Sequence, residues 1–229
     1  MFEGFRPQAI DFLWGIRFNN NREWFADHKQ EYTRELNNPL KAMAQALYTP
    51  YCQNPNLIMK VCRILRDTRM HYDLPYRDSL WLSLRPRTEE WYRVPNLYFS
   101  IRPEGVEYGL SLWRPEPAQM ELFRKTVSAD PDAFLSALEA TERATGEKVT
   151  ADCYKRPKPC ENPDLLPFFS WKTNVSCFRQ EPVGPGIFEP ELADRVGTFW
   201  AGTRPLFDFF DTMRPIVKKV AFSLEDMLQ

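Results

Sequence analysis

The chain has 229 residues, 43% of them hydrophobic and 27% charged, and a formal net charge of −1. That balance suits a globular protein of one large domain or two small ones, long enough for a sizeable core, and excludes one that binds nucleic acid through its overall charge. No apolar run approaches the ~20 residues that a membrane-spanning helix needs, and the start, Met1-Phe2-Glu3-Gly4-Phe5-Arg6-Pro7, lacks the basic-then-apolar order of a secretory signal.

Residues 7–17 read as a helix, with Pro7 in its first turn and Phe12, Leu13 and Ile16 along one side. Asn19-Asn20-Asn21 forms a turn and supplies an N-cap. Trp24, His28 and Tyr32 then recur at spacing four, which predicts an amphipathic helix over 21–37. Asn38-Pro39 is expected to interrupt it, and Leu40, Met43 and Leu47 resume a helical stripe as far as Pro50. Leu57 to Leu65 is apolar on both faces and reads as a strand, although Lys60, Arg63 and Asp67 also fall at helical spacing. Leu80 to Leu84 is a further strand. Leu97, Phe99 and Ile101 alternate with polar neighbours, Pro103-Glu104-Gly105 turns the chain, and Val106, Tyr108, Leu110 and Leu112 alternate back, which is a hairpin. Helices follow around Met120, Phe123 and Val127, and from Asp130-Pro131 to Gly146. Residues 152–168 are proline-rich and read as a long loop, and Trp171 to Phe178 as a last strand. A final helix starts near 189 and is broken or kinked at Pro205. Helices at both ends around a central block of strands predict an α+β fold: a single domain over 1–229, with a mostly antiparallel central sheet packed by N- and C-terminal helices.

Charge is concentrated in one place. Lys60 to Arg87 holds seven basic residues against three acidic ones, a balance of +4, so the rest of the chain carries −5. Within it, Arg63-Ile64-Leu65-Arg66-Asp67-Thr68-Arg69 directly follows the apolar run Leu57 to Cys62. Guanidinium groups stay protonated at physiological pH and present fixed donor forks, so a pocket of them takes phosphate or carboxylate. If the segment is extended, Arg63, Asp67 and Arg69 point one way and Arg66 the other. Arg63, Arg66, Arg69 and Arg77 would grip the anion, Asp67 would orient them and Tyr76 would add a hydroxyl. Lys155 and Arg156, on the proline-rich loop, would form a second basic wall. The alternative is an internal Arg–Asp network that only ties elements together.

Other chemistry is less well supplied. Asp67, Asp73 and Asp78 could meet around magnesium, but the neighbouring arginines oppose this, and no spaced His/Cys set suits zinc. No metal and no cofactor are expected. His71 is the better-placed general base of the two histidines, though it stands alone. Cys52, Cys62, Cys153, Cys160 and Cys177 are odd in number with no two-residue spacing, so reduced thiols and a cytoplasmic location are expected. Cys62 reads as an inert strand residue. Trp81, Trp91, Tyr92, Tyr98 and Trp113 could stack bases, yet most alternate as core residues do, and nucleic acid is not expected as a partner.

The chain resembles the bacterial family of conserved hypothetical proteins catalogued as domain of unknown function 2461. Three parts carry the resemblance: Asn19-Asn20-Asn21-Arg22-Glu23-Trp24-Phe25 with His28-Lys29 and Tyr32; Arg63 through Arg69; and Lys155-Arg156-Pro157 with Asn162-Pro163. The central part is similar to the family's two arginines three apart, an aspartate and a third arginine. This chain departs from the pattern after it, with Met70 where the family has phenylalanine and Leu74 where it has lysine. The resemblance implies a fold and a candidate site, and no activity. The expectation is therefore a protein that binds a small anionic ligand through Arg63, Arg66, Asp67, Arg69, Tyr76, Arg77, Lys155 and Arg156. The alternative is a non-catalytic interaction module with an architectural arginine network. Whether it is an enzyme, and its oligomeric state, stay open.

Overall fold

The computed structural model describes residues 1–67, 69 and 73–213. Helix α1 spans Pro7–Phe18 and buries Ile10, Phe12, Leu13 and Ile16. The three asparagines after it have three different partners. The Asn19 side chain donates to Gly15 O at 2.9 Å and closes α1. The Asn21 side chain accepts from Trp24 N at 2.9 Å and caps α2, Arg22–Glu31. Asn20 reaches across the molecule to the backbone of Tyr76, accepting from its N–H and donating to its carbonyl, both at 2.9 Å.

The expected interruption at Asn38-Pro39 does not occur. α2 runs through a widened turn, Tyr32–Asn37, straight into α3, Asn38–Tyr48. In the widened turn the bonds skip one residue more than usual, with Asn38 N donating to Thr33 O. The extra residue makes room for the Pro39 ring and takes up the bond that proline cannot donate.

Six strands follow in one antiparallel sheet, ordered β1-β2-β3-β4-β6-β5. They are β1 Leu57–Val61, β2 Leu80–Pro86, β3 Asn96–Arg102, β4 Gly105–Leu112, β5 Thr150–Cys153 and β6 Trp171–Pro182. The expected hairpin is β3–β4, with Phe99 opposite Tyr108. β5 lies where a loop was expected to begin. Its residues are mostly exposed and show no apolar alternation, and it pairs with β6 in a shifted register. β1 stops at Val61, so the alternation expected to sort Arg63, Asp67 and Arg69 from Arg66 ends before reaching them. Beyond it, Leu65 bridges Tyr76, with Arg66 N donating to Pro75 O and Arg77 N to Ile64 O, each at 2.8 Å.

The sheet is two-faced because strand side chains alternate. Leu82, Leu84, Phe99, Ile101, Tyr108 and Leu110 are buried on one face. Helices pack there: α1 and α3, then α4 (Pro117–Ala129), α5 (Pro131–Thr145), the short α6 (Leu166–Phe169), α7 (Leu192–Gly202) and α8 (Arg204–Thr212). Phe5 stacks on Phe99 at 6.0 Å, Phe199 meets Tyr108 edge-on at 5.3 Å, and Phe123 stacks on Trp171 at 5.7 Å. Each such ring contributes about 1.5–3 kcal/mol by leaving water. The result is a single α+β domain with helices from both ends of the chain against one sheet face. Among the described residues no helix is long and apolar enough to cross a membrane.

Candidate ligand-binding groove

The eight residues expected to form a site do not line one hollow. Arg66 is tied inward: Nε donates to Tyr76 O at 3.0 Å and Nη2 to Asp78 Oδ1 at 3.2 Å. Asp78 also accepts from Arg17 Nε at 2.7 Å, and Arg17 in turn grips Glu104 in the β3–β4 turn. Burial alone would raise the Asp78 carboxyl, but the hydrogen bond from Arg17 and the charges of Arg17 and Arg66 hold it below the usual carboxylate range. Arg69 forks onto Asp67 at 3.0 and 2.8 Å, with both groups exposed. Tyr76 is buried, its ring stacked on Phe25 at 4.3 Å. Arg63 is exposed just past β1, while Lys155 and Arg156 are exposed just past β5. Those strands are the two edges of the sheet, five strand steps or ~24 Å apart, so the proline-rich loop forms no second wall around Arg63. His71 lies outside the described residues.

Two of the eight line grooves, and the grooves are different ones: Arg63 lies at the outer edge of β1, and Arg77 on the open sheet face. Arg77 lines a groove of about 520 Å³ on the sheet face opposite the helices. Alternation builds the floor: Trp81 lies opposite Ser100, Ser83 opposite Tyr98, and Asn96 opposite Ser111. The middle position of β4 is Gly109, whose Cβ would stand 2.2 Å from Cys177 O, so glycine lets β6 approach closely here. The loop after β2 folds over this face and adds Trp91. Asn96 Nδ2 pins that loop by donating to Val94 O at 2.6 Å and Trp91 O at 3.1 Å. Trp91 stacks between Trp81, at 6.4 Å, and Trp113, at 5.6 Å, as a ladder of indole rings.

The polar groups divide into satisfied and unsatisfied. Glu107 accepts from Tyr98 Oη at 2.9 Å and Gln180 Nε2 at 2.6 Å, and pairs with Arg102 Nη2 at 3.1 Å. Burial and the Glu107 carboxylate push the Tyr98 phenol far up, so it stays protonated. Arg85 follows Ser83 on the same face, only 8% exposed, with its guanidinium 5.2 Å from the Trp91 ring centre. Among the described residues its Nε and Nη1 have no hydrogen-bond partner, and neither do Arg77 Nε and Asn96 Oδ1. Burial pulls Arg85 down to about 10, which leaves it cationic at neutral pH. A desolvated cation without a counter-ion is unfavourable, and its contact with an indole face offsets only part of that.

Arg85 and the tryptophans were missed as site residues because the aromatics near the basic segment were read as core. The alternation that separates them was present: Leu80, Leu82 and Leu84 take the buried face, Trp81, Ser83 and Arg85 the other. The family model described as "Conserved hypothetical protein (DUF2461)" matches residues 8–209. The chain belongs to that family. No curated protein and no solved structure matches it. The DUF2461 match runs from the first turn of α1 into α8 and includes every strand of the sheet and the whole groove.

Proposed function

We propose that this protein binds a small ligand combining a planar ring with an oxyanion, phosphate or carboxylate, in the groove on the open sheet face. The observation that carries this reading is Arg85, a buried guanidinium packed against Trp91 beside the groove rather than in its lining, with two donors that have no partner among the described residues. An oxyanion would take the free donors of Arg85 and Arg77, and a ring would add to the stack of Trp81, Trp91 and Trp113. Among the described residues the groove's lining contains no histidine, and its one carboxylate, Glu107, is already engaged by three neighbours. Binding without turnover is therefore the simpler reading. The architectural alternative is favoured for Arg66, whose donors meet a carbonyl and a carboxylate, and for Arg69, which forks onto Asp67.

The test is tryptophan fluorescence and thermal shift against benzoate, adenosine monophosphate, adenosine, inorganic phosphate and a ten-nucleotide single-stranded RNA. Compounds with both ring and anion should quench fluorescence and raise the melting temperature, by about 2.7 kcal/mol of stability at a hundredfold excess over Kd. Adenosine and phosphate alone should do less. Arg85→Met should remove the response and Arg66→Met should keep it. An unchanged emission and melting temperature with every ring-bearing anion would end the proposal. RNA binding far tighter than the mononucleotide would replace it with a nucleic-acid platform.

A further inference from the structure

Among the described residues β1 is an edge strand with no strand paired on its outer side, and that side opens onto a second groove of about 690 Å³ between the strand and α3. The register shows which backbone groups face it. Arg87 N donates to Asn56 O at 2.8 Å and Cys62 N to Trp81 O at 2.9 Å, so the even positions of β1 bond to β2. In an antiparallel ladder the odd positions then turn their N–H and C=O outward, here those of Met59 and Val61. Lys41, Gln45 and Tyr48 stand on one side of α3 at helical spacing and form the opposite wall. Lys60, Arg63 and Arg87 complete it. Among the described residues no carboxylate lines this groove, and Lys41, Lys60, Arg63 and Arg87 take part in no ion pair.

We propose that the free edge of β1 takes an extended acidic peptide of a partner protein as an additional strand. The outward amides supply main-chain pairing and the four cations supply charge complementarity, the two terms of strand addition to a sheet edge. A polyanion without a peptide backbone satisfies the cations but leaves Met59 and Val61 unpaired, which singles out an acidic peptide. The site lies apart from the indole groove and does not depend on its ligand.

The probe is a fluorescein-labelled decapeptide of alternating glutamate and valine, read by fluorescence anisotropy with the full chain. It should bind, and the same peptide with lysine for glutamate should not. N-methylation of every second peptide amide should weaken binding at least tenfold on one parity and little on the other, because only one set of amides meets β1. Met59→Pro should abolish binding with the fold intact, since that N–H is not used by β2 and proline is tolerated on an open edge. Arg63→Glu should weaken binding at least tenfold. If Met59→Pro does not fold, the methylated peptides on the unaltered chain decide. Equal loss for the two parities, equal binding of a uridine decamer, or no binding of the glutamate peptide at millimolar concentration overturns the proposal. Arg85→Met should leave peptide binding unchanged, which separates this site from the groove.

Discussion

Two arginines of the same basic segment have opposite environments. Arg66 is only half-buried and meets a carbonyl and a carboxylate. Arg85 is 8% exposed and meets an indole ring, with two donors unpartnered. Replacing a buried, uncompensated charge by an apolar chain of similar length removes a desolvation penalty. Arg85→Met is therefore expected to leave the fold as stable or more stable, by up to about 2 kcal/mol in urea unfolding, while the ligand response disappears. A clear loss of stability would mean that the guanidinium–Trp91 contact outweighs desolvation. Asn20 makes the converse case. Its amide closes two hydrogen bonds to the backbone of Tyr76, 56 positions away. Asn20→Ala leaves both backbone groups unpaired and should cost about 1–3 kcal/mol in the same measurement. The turn at Asn19-Asn20-Asn21 was legible in the sequence, as was its cap. The partner of Asn20 was not, because nothing local to residue 20 points to residue 76.

At the level of elements, the most consequential link is the chain Arg66–Asp78–Arg17–Glu104, which fastens the segment before β2 to the end of α1 and to the β3–β4 turn. Its acid dependence has a definite sign. The Asp78 carboxyl is held below its ordinary value of 3.8, so its contribution is complete above about pH 4 and is lost as pH falls through the lowered value. Asp78→Asn should destabilise the protein at pH 7 by about 1–2 kcal/mol, between a surface pair and a fully buried one. The gap to the unaltered chain should close between about pH 4 and 2 in acid unfolding. A constant gap across that range would remove the carboxylate from the argument. Helices and strands with strong periodicity were legible: α1, the β3–β4 hairpin, α4 and α5 follow from apolar spacing and from the Asp130 cap, which accepts from Ala133 N at 3.0 Å. β5 was not, because an exposed edge strand carries no apolar pattern. The continuity across Pro39 was not, because a widened turn changes hydrogen-bond spacing without changing residue type.

One arrangement organises the rest: among the described residues the α-helices lie to one side of the sheet, leaving the other face to polar groups and stacked indoles. The sequence by itself determined the α+β class, the antiparallel hairpin, the apolar set that makes the core and the place where positive charge concentrates. These follow from backbone periodicity and composition, which act within a few residues. Only the tertiary structure decided which charges share a space. It placed Arg63 and Lys155 at opposite edges, tied Arg66 to Tyr76 and Asp78, and left Arg77 and Arg85 on the open face beside the indole ladder. The physical reason is that strand order and edge position come from long-range pairing. Residues within one seven-residue motif are separated by it, and residues on three strands are brought onto one floor.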